Sequence, residues 1–149
     1  RLAWDRLPLA ITIMGLLDAV VAERIGVRVA LRLLGPLVAI AALSVVYWAW
    51  TEQRGDGDLR LYALVQFFPL AAIPLMLWWL PPRYTGAVGL LAAAAVYALA
   101  KVPELADAAI FSGTRVVSGH TLKHLLASLA GYAVLLMLER RRAVVTRTS

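Results

Sequence analysis

Five long apolar stretches, separated by polar or turn-forming connections, dominate the pattern of hydrophobic and polar positions in this chain. Each is close to the ~20 residues that a helix needs to cross ~30 Å of hydrocarbon. The runs are rich in Leu and Ala and lack the alternation of a strand, so they predict helices. We therefore predict an all-α integral membrane helical bundle, with helices at roughly 7–23, 31–50, 60–80, 86–102 and 119–138.

Composition favours a bilayer as the surroundings of this bundle. Hydrophobic residues make up 62% of the 149 and the mean hydropathy is +0.77, whereas soluble domains average about 45–50% apolar residues. A soluble domain of this size could not bury so much apolar surface. Aromatic residues at the ends of the stretches are typical of membrane-interface anchors. These are Trp48, Trp50, Trp78, Trp79 and Tyr84.

The net charge of +6 raises the question of nucleic-acid binding, but the basic residues are dispersed at helix ends and in a short tail. Membrane topology explains that distribution better, and we expect no nucleic-acid partner. The side carrying the 23–32 loop, Arg83 and the tail has eight arginines, against seven basic residues on the other side. This small excess predicts that the C-terminus is cytoplasmic. The five apolar stretches predict a multi-pass protein.

Polar and proline residues interrupt the apolar stretches at a few positions. We expect prolines 36, 69 and 74 to be tolerated as kinks, as in other membrane helices. Buried ionisable groups in such helices are functional candidates, but structural roles are the better interpretation here. Asp18 lies near the end of its stretch and is expected to reach the interface. The same structural reading applies to Tyr62, Gln66, Tyr97, Lys101 and Ser128.

His120 and His124 are the only histidines, and they stand four residues apart where the last apolar stretch begins. Residues at i and i+4 share a helix face, so the pair forms half of a metal site. Because the chain has no cysteine, any metal would be held by His and carboxylate ligands. A catalytic Zn²⁺ site usually has three protein ligands and keeps one position open for water. The alternative is that His120 and Lys123 are ordinary interfacial polar residues and that His124 packs against a neighbour, since H-x-x-x-H also arises by chance.

Asp5 is the acid that topology can bring to this pair. If the first and fifth helices begin at Pro8 and after Ser118, an odd number of crossings starts both on one membrane face. Asp5 is then either a further metal ligand or the base that orients the attacking water and takes its proton. It could also serve as an N-cap, since Asp-Arg-Leu-Pro places a proline just inside a helix start. Ser118 is a good N-cap for the last helix.

Two motifs together resemble the bacterial branch of the alkaline ceramidase family, part of a seven-helix membrane hydrolase superfamily that includes the adiponectin and progestin receptors. They are Trp4-Asp5-Arg6-Leu7-Pro8 and Ser118-Gly119-His120-Thr121-Leu122-Lys123-His124. Segments 61–69 and 81–84 are also similar. The resemblance implies a zinc-dependent amidohydrolase acting on linear amides, with a ceramide-like or other N-acyl lipid as substrate, in a bacterial inner (cell) membrane. It matches His120 and His124 to zinc ligands and Asp5 to the family's acid.

The resemblance also implies that residues 1–149 are one transmembrane domain made of the last five of seven helices. The family's third histidine and a serine belong to an earlier helix, so an N-terminally truncated chain would need a missing segment to complete its site. Two other functions stay open. One is a receptor or sensor on the same scaffold, and the other is a metal-free membrane transport or assembly protein.

Overall fold

The structure, a computed structural model, describes residues 2–100 and 119–144. These ranges contain helices and no strand beyond one isolated antiparallel bridge between Tyr84 and Ala143. The all-helical prediction is therefore confirmed for the described residues. The helices are α1 (Leu2–Arg24), α2 (Val27–Gln53), α3 (Arg60–Trp79), α4 (Ala87–Leu99) and α5 (Gly119–Arg140).

The first helix begins earlier than its apolar pattern suggests. Pro8 lies inside α1, which starts at Leu2, so Asp5 belongs to the first turn of a helix already formed. The interpretation of Asp5 as an N-cap before a helix that starts at Pro8 is therefore wrong. An acid in a first turn is still favourable, because it faces the positive end of the helix dipole. The predicted cap at Ser118 and the predicted role of Lys101 lie outside the described residues.

Two helices, α2 and α3, have the length and composition needed to cross a membrane. They contain 27 and 20 residues, with mean hydropathies of 2.2 and 1.8 in their most apolar windows. Only 22% and 28% of those windows are buried, whereas the core helix of a soluble protein would be mostly buried. Pro36, Pro69 and Pro74 lie within these helices without ending them, as predicted. The other described helices do not meet the same criteria of length and hydropathy.

The chain forms two compact units, residues 1–83 and 84–149. In the first unit, α1 packs against both α2 and α3. Its most completely buried side chains come from all three helices and include Val20, Ala41 and Ile73. In hydrocarbon such packing is held by close van der Waals contact rather than by exclusion of water. The prediction of a single domain stays a prediction.

Two arginines tie the end of α3 to the turn between α1 and α2. Arg24 Nη1 donates a hydrogen bond to the Leu80 carbonyl at 2.9 Å. Arg83 Nη2 donates to the Ile25 carbonyl at 3.2 Å. The Arg24 side chain is buried and its Nε lies 3.5 Å from the carboxylate of Glu23. These bonds place the last turn of α1, the first turn of α2 and the end of α3 at one end of the first unit.

In the second unit, α4 and α5 approach closely where α4 begins. Gly86, at a φ of 104°, precedes α4, and Gly89 lies in its first turn. A Cβ built on Gly89 would lie 2.8 Å from Met137 Cγ, so a side chain there would collide with α5. The Thr85 hydroxyl accepts a hydrogen bond from the Arg142 amide at 2.9 Å, and the Thr85 amide donates one to the Arg142 carbonyl at 2.8 Å. The residues that follow α5 are thereby attached to the segment before α4.

Candidate functional site

The predicted site residues lie at the beginnings of two helices. Asp5 is half-buried in the first turn of α1. His124 is half-buried in α5, and position 120 lies one turn before it in the same helix. The helix is continuous through both positions, so they share a face as the spacing predicts. Gly119, the first residue of α5, is buried.

Asp5 belongs to the first unit and the histidine pair to the second. Each unit is described by itself, so the predicted juxtaposition of Asp5 with His120 and His124 stays a prediction. Within residues 2–100 and 119–144, no group of three or more His, Cys, Asp or Glu side chains is placed to hold a metal ion.

The donor set on α5 suits part of a zinc site. Zinc accepts imidazole nitrogen, and its catalytic sites use three protein ligands with one open position. Two histidines one turn apart on an uninterrupted helix can supply two of these ligands. The chain contains no other histidine and no cysteine. A third ligand must therefore come from another element.

Next to Asp5, the structure contains a polar cluster that the sequence did not predict, which we call the Arg6 cluster: Arg6, Trp48, Tyr62 and Gln66. The Arg6 guanidinium carbon lies 3.8 Å from the centroid of the Trp48 ring and 5.3 Å from that of Tyr62. Stacking of this kind is worth about 2 kcal/mol when desolvated. The Nη1 atom of Arg6 is buried and has no hydrogen-bond partner. Arg6 therefore joins the first turns of α1 and α3 to the end of α2.

Gln66 completes the Arg6 cluster from one turn further along α3. It is 1% exposed, and its Nε2 donates a 2.8 Å hydrogen bond to the hydroxyl of Tyr62. A buried amide left without a partner would cost about 1–3 kcal/mol, so this bond explains how Gln66 is accommodated. The i, i+4 spacing of Tyr62 and Gln66 was the available sequence signal. It agrees with the structural role expected for both residues.

Two residues differ from their predicted surroundings. Trp48 was expected to anchor the chain at the membrane interface, but it is 4% exposed because the guanidinium of Arg6 covers it. Trp78 and Trp79, by contrast, are 84% and 78% exposed, as anchors should be. Asp18 was expected to reach the interface, yet it is buried, and its Oδ1 has no hydrogen-bond partner. Asp18 is buried because it lies on the face of α1 that packs against the neighbouring helices.

The loop between α2 and α3 is the other polar concentration of the first unit. An open cavity of about 620 Å³ lies there, lined by Tyr47, Thr51, Leu59, Ala63 and the residues from Asp56 to Arg60. The Asp58 carboxylate accepts hydrogen bonds from the Arg60 amide at 2.9 Å and the Tyr47 hydroxyl at 3.1 Å. The backbone bond from Arg60 is the main cause that lowers the pKa of Asp58 below its ordinary value of 3.8. Asp58 is thus an anion that organises the loop.

Comparison of this chain with protein-family models, with curated proteins and with solved structures finds no match. The assignment of a function therefore depends on the residues themselves.

Proposed function

We propose that this chain is the histidine-bearing part of a multi-pass, zinc-dependent intramembrane hydrolase that cleaves the amide bond of a ceramide-like or other N-acyl lipid. The observation that carries the proposal is the placement of positions 120 and 124 one turn apart at the start of α5. The first-turn position of Asp5 in α1 adds an acid at the beginning of another helix. The proposed setting is a bacterial cell membrane, with the C-terminus in the cytoplasm.

In this proposal His120 and His124 hold the metal together with one further protein ligand. A zinc ion in such a site supplies Lewis acidity toward the amide carbonyl and toward water. Asp5 orients the attacking water and takes its proton, a role that requires hydrogen-bond reach of that water. The amide nitrogen then leaves with a proton, and the fatty acid is released as a carboxylate.

The Arg6 cluster contributes positioning to the same proposal. Arg6 follows Asp5 in α1, and its contacts with Trp48 and Tyr62 fix the rotation of the first turn of that helix. The direction of the Asp5 side chain follows from that rotation. Precision of this kind matters, because displacement of a catalytic group by 1 Å can cost about a hundred-fold in rate.

The proposal is tested with the full-length gene product, purified in detergent and analysed for zinc by elemental mass spectrometry. We expect one zinc per chain, lost in His124→Ala. Hydrolysis of a fluorescent N-acyl lipid should be lost with it. Asp5→Asn should retain zinc and lower turnover by about 10²–10⁴-fold, the usual contribution of a general base.

The matched control is Asp56→Asn, the same substitution at an exposed acid of the α2–α3 loop, which should change neither zinc content nor turnover. Absence of zinc from the wild-type protein would overturn the proposal and favour a metal-free transport or assembly protein. Zinc that is bound without hydrolysis of any N-acyl lipid would favour a receptor or sensor.

A further inference from the structure

The two ends of the first unit carry very different charge environments. At the end where α2 begins stand Arg24, Arg28, Arg32 and Arg83, with Glu23 as the acid nearest to them in sequence. The opposite end, among described residues, holds four acids and three arginines: Asp5, Glu52, Asp56, Asp58, Arg6, Arg54 and Arg60. The first end is therefore strongly basic, and the second is close to neutral.

The arginines of the second end all have partners. Arg6 stacks on Trp48, Arg54 lies with its guanidinium 3.8 Å from the centroid of the Trp50 ring, and Arg60 lies 3.9 Å from the Asp58 carboxylate. At the basic end, Arg24 interacts with Glu23 and with the Leu80 carbonyl. Arg83 makes one hydrogen bond, to the Ile25 carbonyl, and no acid neutralises it within the described residues. Charges at the second end are thus compensated within the protein.

Three arginines at the basic end remain available, and we call them the Arg28 surface: Arg28, Arg32 and Arg83. All three are exposed. Arg28 and Arg32 are one turn apart on α2 and have no hydrogen bond or ion pair within the described part of the chain. Arg83 is held beside them by its bond to the Ile25 carbonyl. Their positive charges are uncompensated in the first unit.

Arg28 lies in the first turn of α2, where the helix dipole adds to its uncompensated positive charge. The first turn of α2 contains no acid, and its N-cap, Gly26, provides no side-chain bond. The positive end of the helix dipole and the guanidinium of Arg28 therefore stand together, an arrangement that an anion stabilises. Two exposed tryptophans, Trp78 and Trp79, end α3 on the same side, and such aromatic residues locate the level of lipid headgroups.

We infer that the Arg28 surface binds the phosphate headgroups of anionic phospholipids and thereby places this end of the unit at the negatively charged leaflet. The inference rests on the charge complementarity of exposed arginines with phosphate and on the adjacent tryptophans. It does not depend on the proposed hydrolase activity. Guanidinium forms paired hydrogen bonds with phosphate oxygens, so a lipid phosphate is a well-matched partner.

The test measures lipid preference by fluorescence. The full chain in detergent, with the exposed Trp4 and Trp50 replaced by Phe in every variant, is titrated with brominated phosphatidylglycerol or brominated phosphatidylcholine. Because Trp48 is buried, quenching of the remaining tryptophan emission reports lipid near Trp78 and Trp79. The wild-type chain should prefer the anionic lipid. Each surface arginine contributes about five-fold to such binding, so Arg28→Gln/Arg32→Gln should lower the preference by about 25-fold. Both side chains are exposed and make no hydrogen bond or ion pair within the described residues. Their replacement should therefore leave the fold unchanged, so that a lost preference reports lipid binding.

The matched control, Arg54→Gln/Arg60→Gln, removes two exposed arginines from the other end and should preserve the preference. Arg28→Lys/Arg32→Lys should retain most of it, because the charge remains. An unchanged preference in Arg28→Gln/Arg32→Gln, or an equal loss in the control, would overturn the inference. Displacement of the lipid by millimolar inorganic phosphate would also overturn it, because the surface would then be a site for free phosphate.

Discussion

Asp58 closes the loop between α2 and α3 with three hydrogen bonds. Its carboxylate accepts from the Arg60 amide and the Tyr47 hydroxyl, and its own amide donates to the Thr51 hydroxyl at 3.0 Å. Thr51 in turn donates to the Trp48 carbonyl. The last turn of α2 is thereby connected to the first turn of α3 through the amide and the carboxylate of one residue.

This network makes a prediction about pH. Because the pKa of Asp58 is lowered in the folded chain, its contribution to the free energy of unfolding is complete above the unfolded-state pKa. It is lost as the pH falls from about 3.8 through the lower folded-state value. A carboxyl ¹³C titration should give Asp58 a midpoint below 3.8. Tyr47→Phe should raise that midpoint, and an unaltered midpoint would contradict the role of the hydroxyl.

The sequence predicted which segments of the described chain are helical, but it did not predict the surroundings of individual side chains. The apolar stretch at 119–138 correctly predicted a helix through positions 120 and 124. The burial of Trp48 beneath Arg6 depends on a contact between residues 42 positions apart, for which neither local sequence carries a signal. Asp18 shows the same limitation, since its burial depends on the face that α1 turns toward its neighbours.

At the scale of helices, the small residues at the start of α4 determine how near α5 can pack. We expect Gly89→Ala to destabilise the second unit by about 1–3 kcal/mol, as overpacking does. The added Cβ would lie 2.8 and 2.9 Å from Met137 Cγ and Cβ. The Cβ cannot move away by a change of rotamer. The free energy of unfolding in detergent is the quantity to measure.

Gly131→Ala is the matched control for this prediction. Gly131 lies within α5, and nothing would approach its Cβ within 4 Å. Alanine has a higher helix propensity than glycine by about 1 kcal/mol, so this variant should be neutral or more stable. Met137→Ala should recover part of the loss caused by Gly89→Ala. If both glycine variants behaved alike, the close approach would not limit packing.

At the scale of the whole molecule, the prediction concerns which loops share a side of the membrane. If α2 crosses the bilayer, the α1–α2 turn and the α2–α3 loop must lie on opposite sides. The chain contains no cysteine, so single cysteines report position without interference. Ile25→Cys and Asp56→Cys should react with a membrane-impermeant maleimide from opposite sides of oriented vesicles. Leu43→Cys, in the middle of α2, should remain unlabelled, and labelling of both loops from one side would contradict the crossing.

The order in which the ribosome makes these helices gives the bond between Arg24 and Leu80 a consequence for biosynthesis. The two residues are 56 positions apart. At about 5–20 residues per second, Leu80 is synthesised about 3 to 11 seconds after Arg24. Until the Leu80 carbonyl has been made, Nη1 of Arg24 lacks the acceptor that it bonds in the folded unit. The packing of α1 with α2 is therefore completed only after the end of α3 has been synthesised.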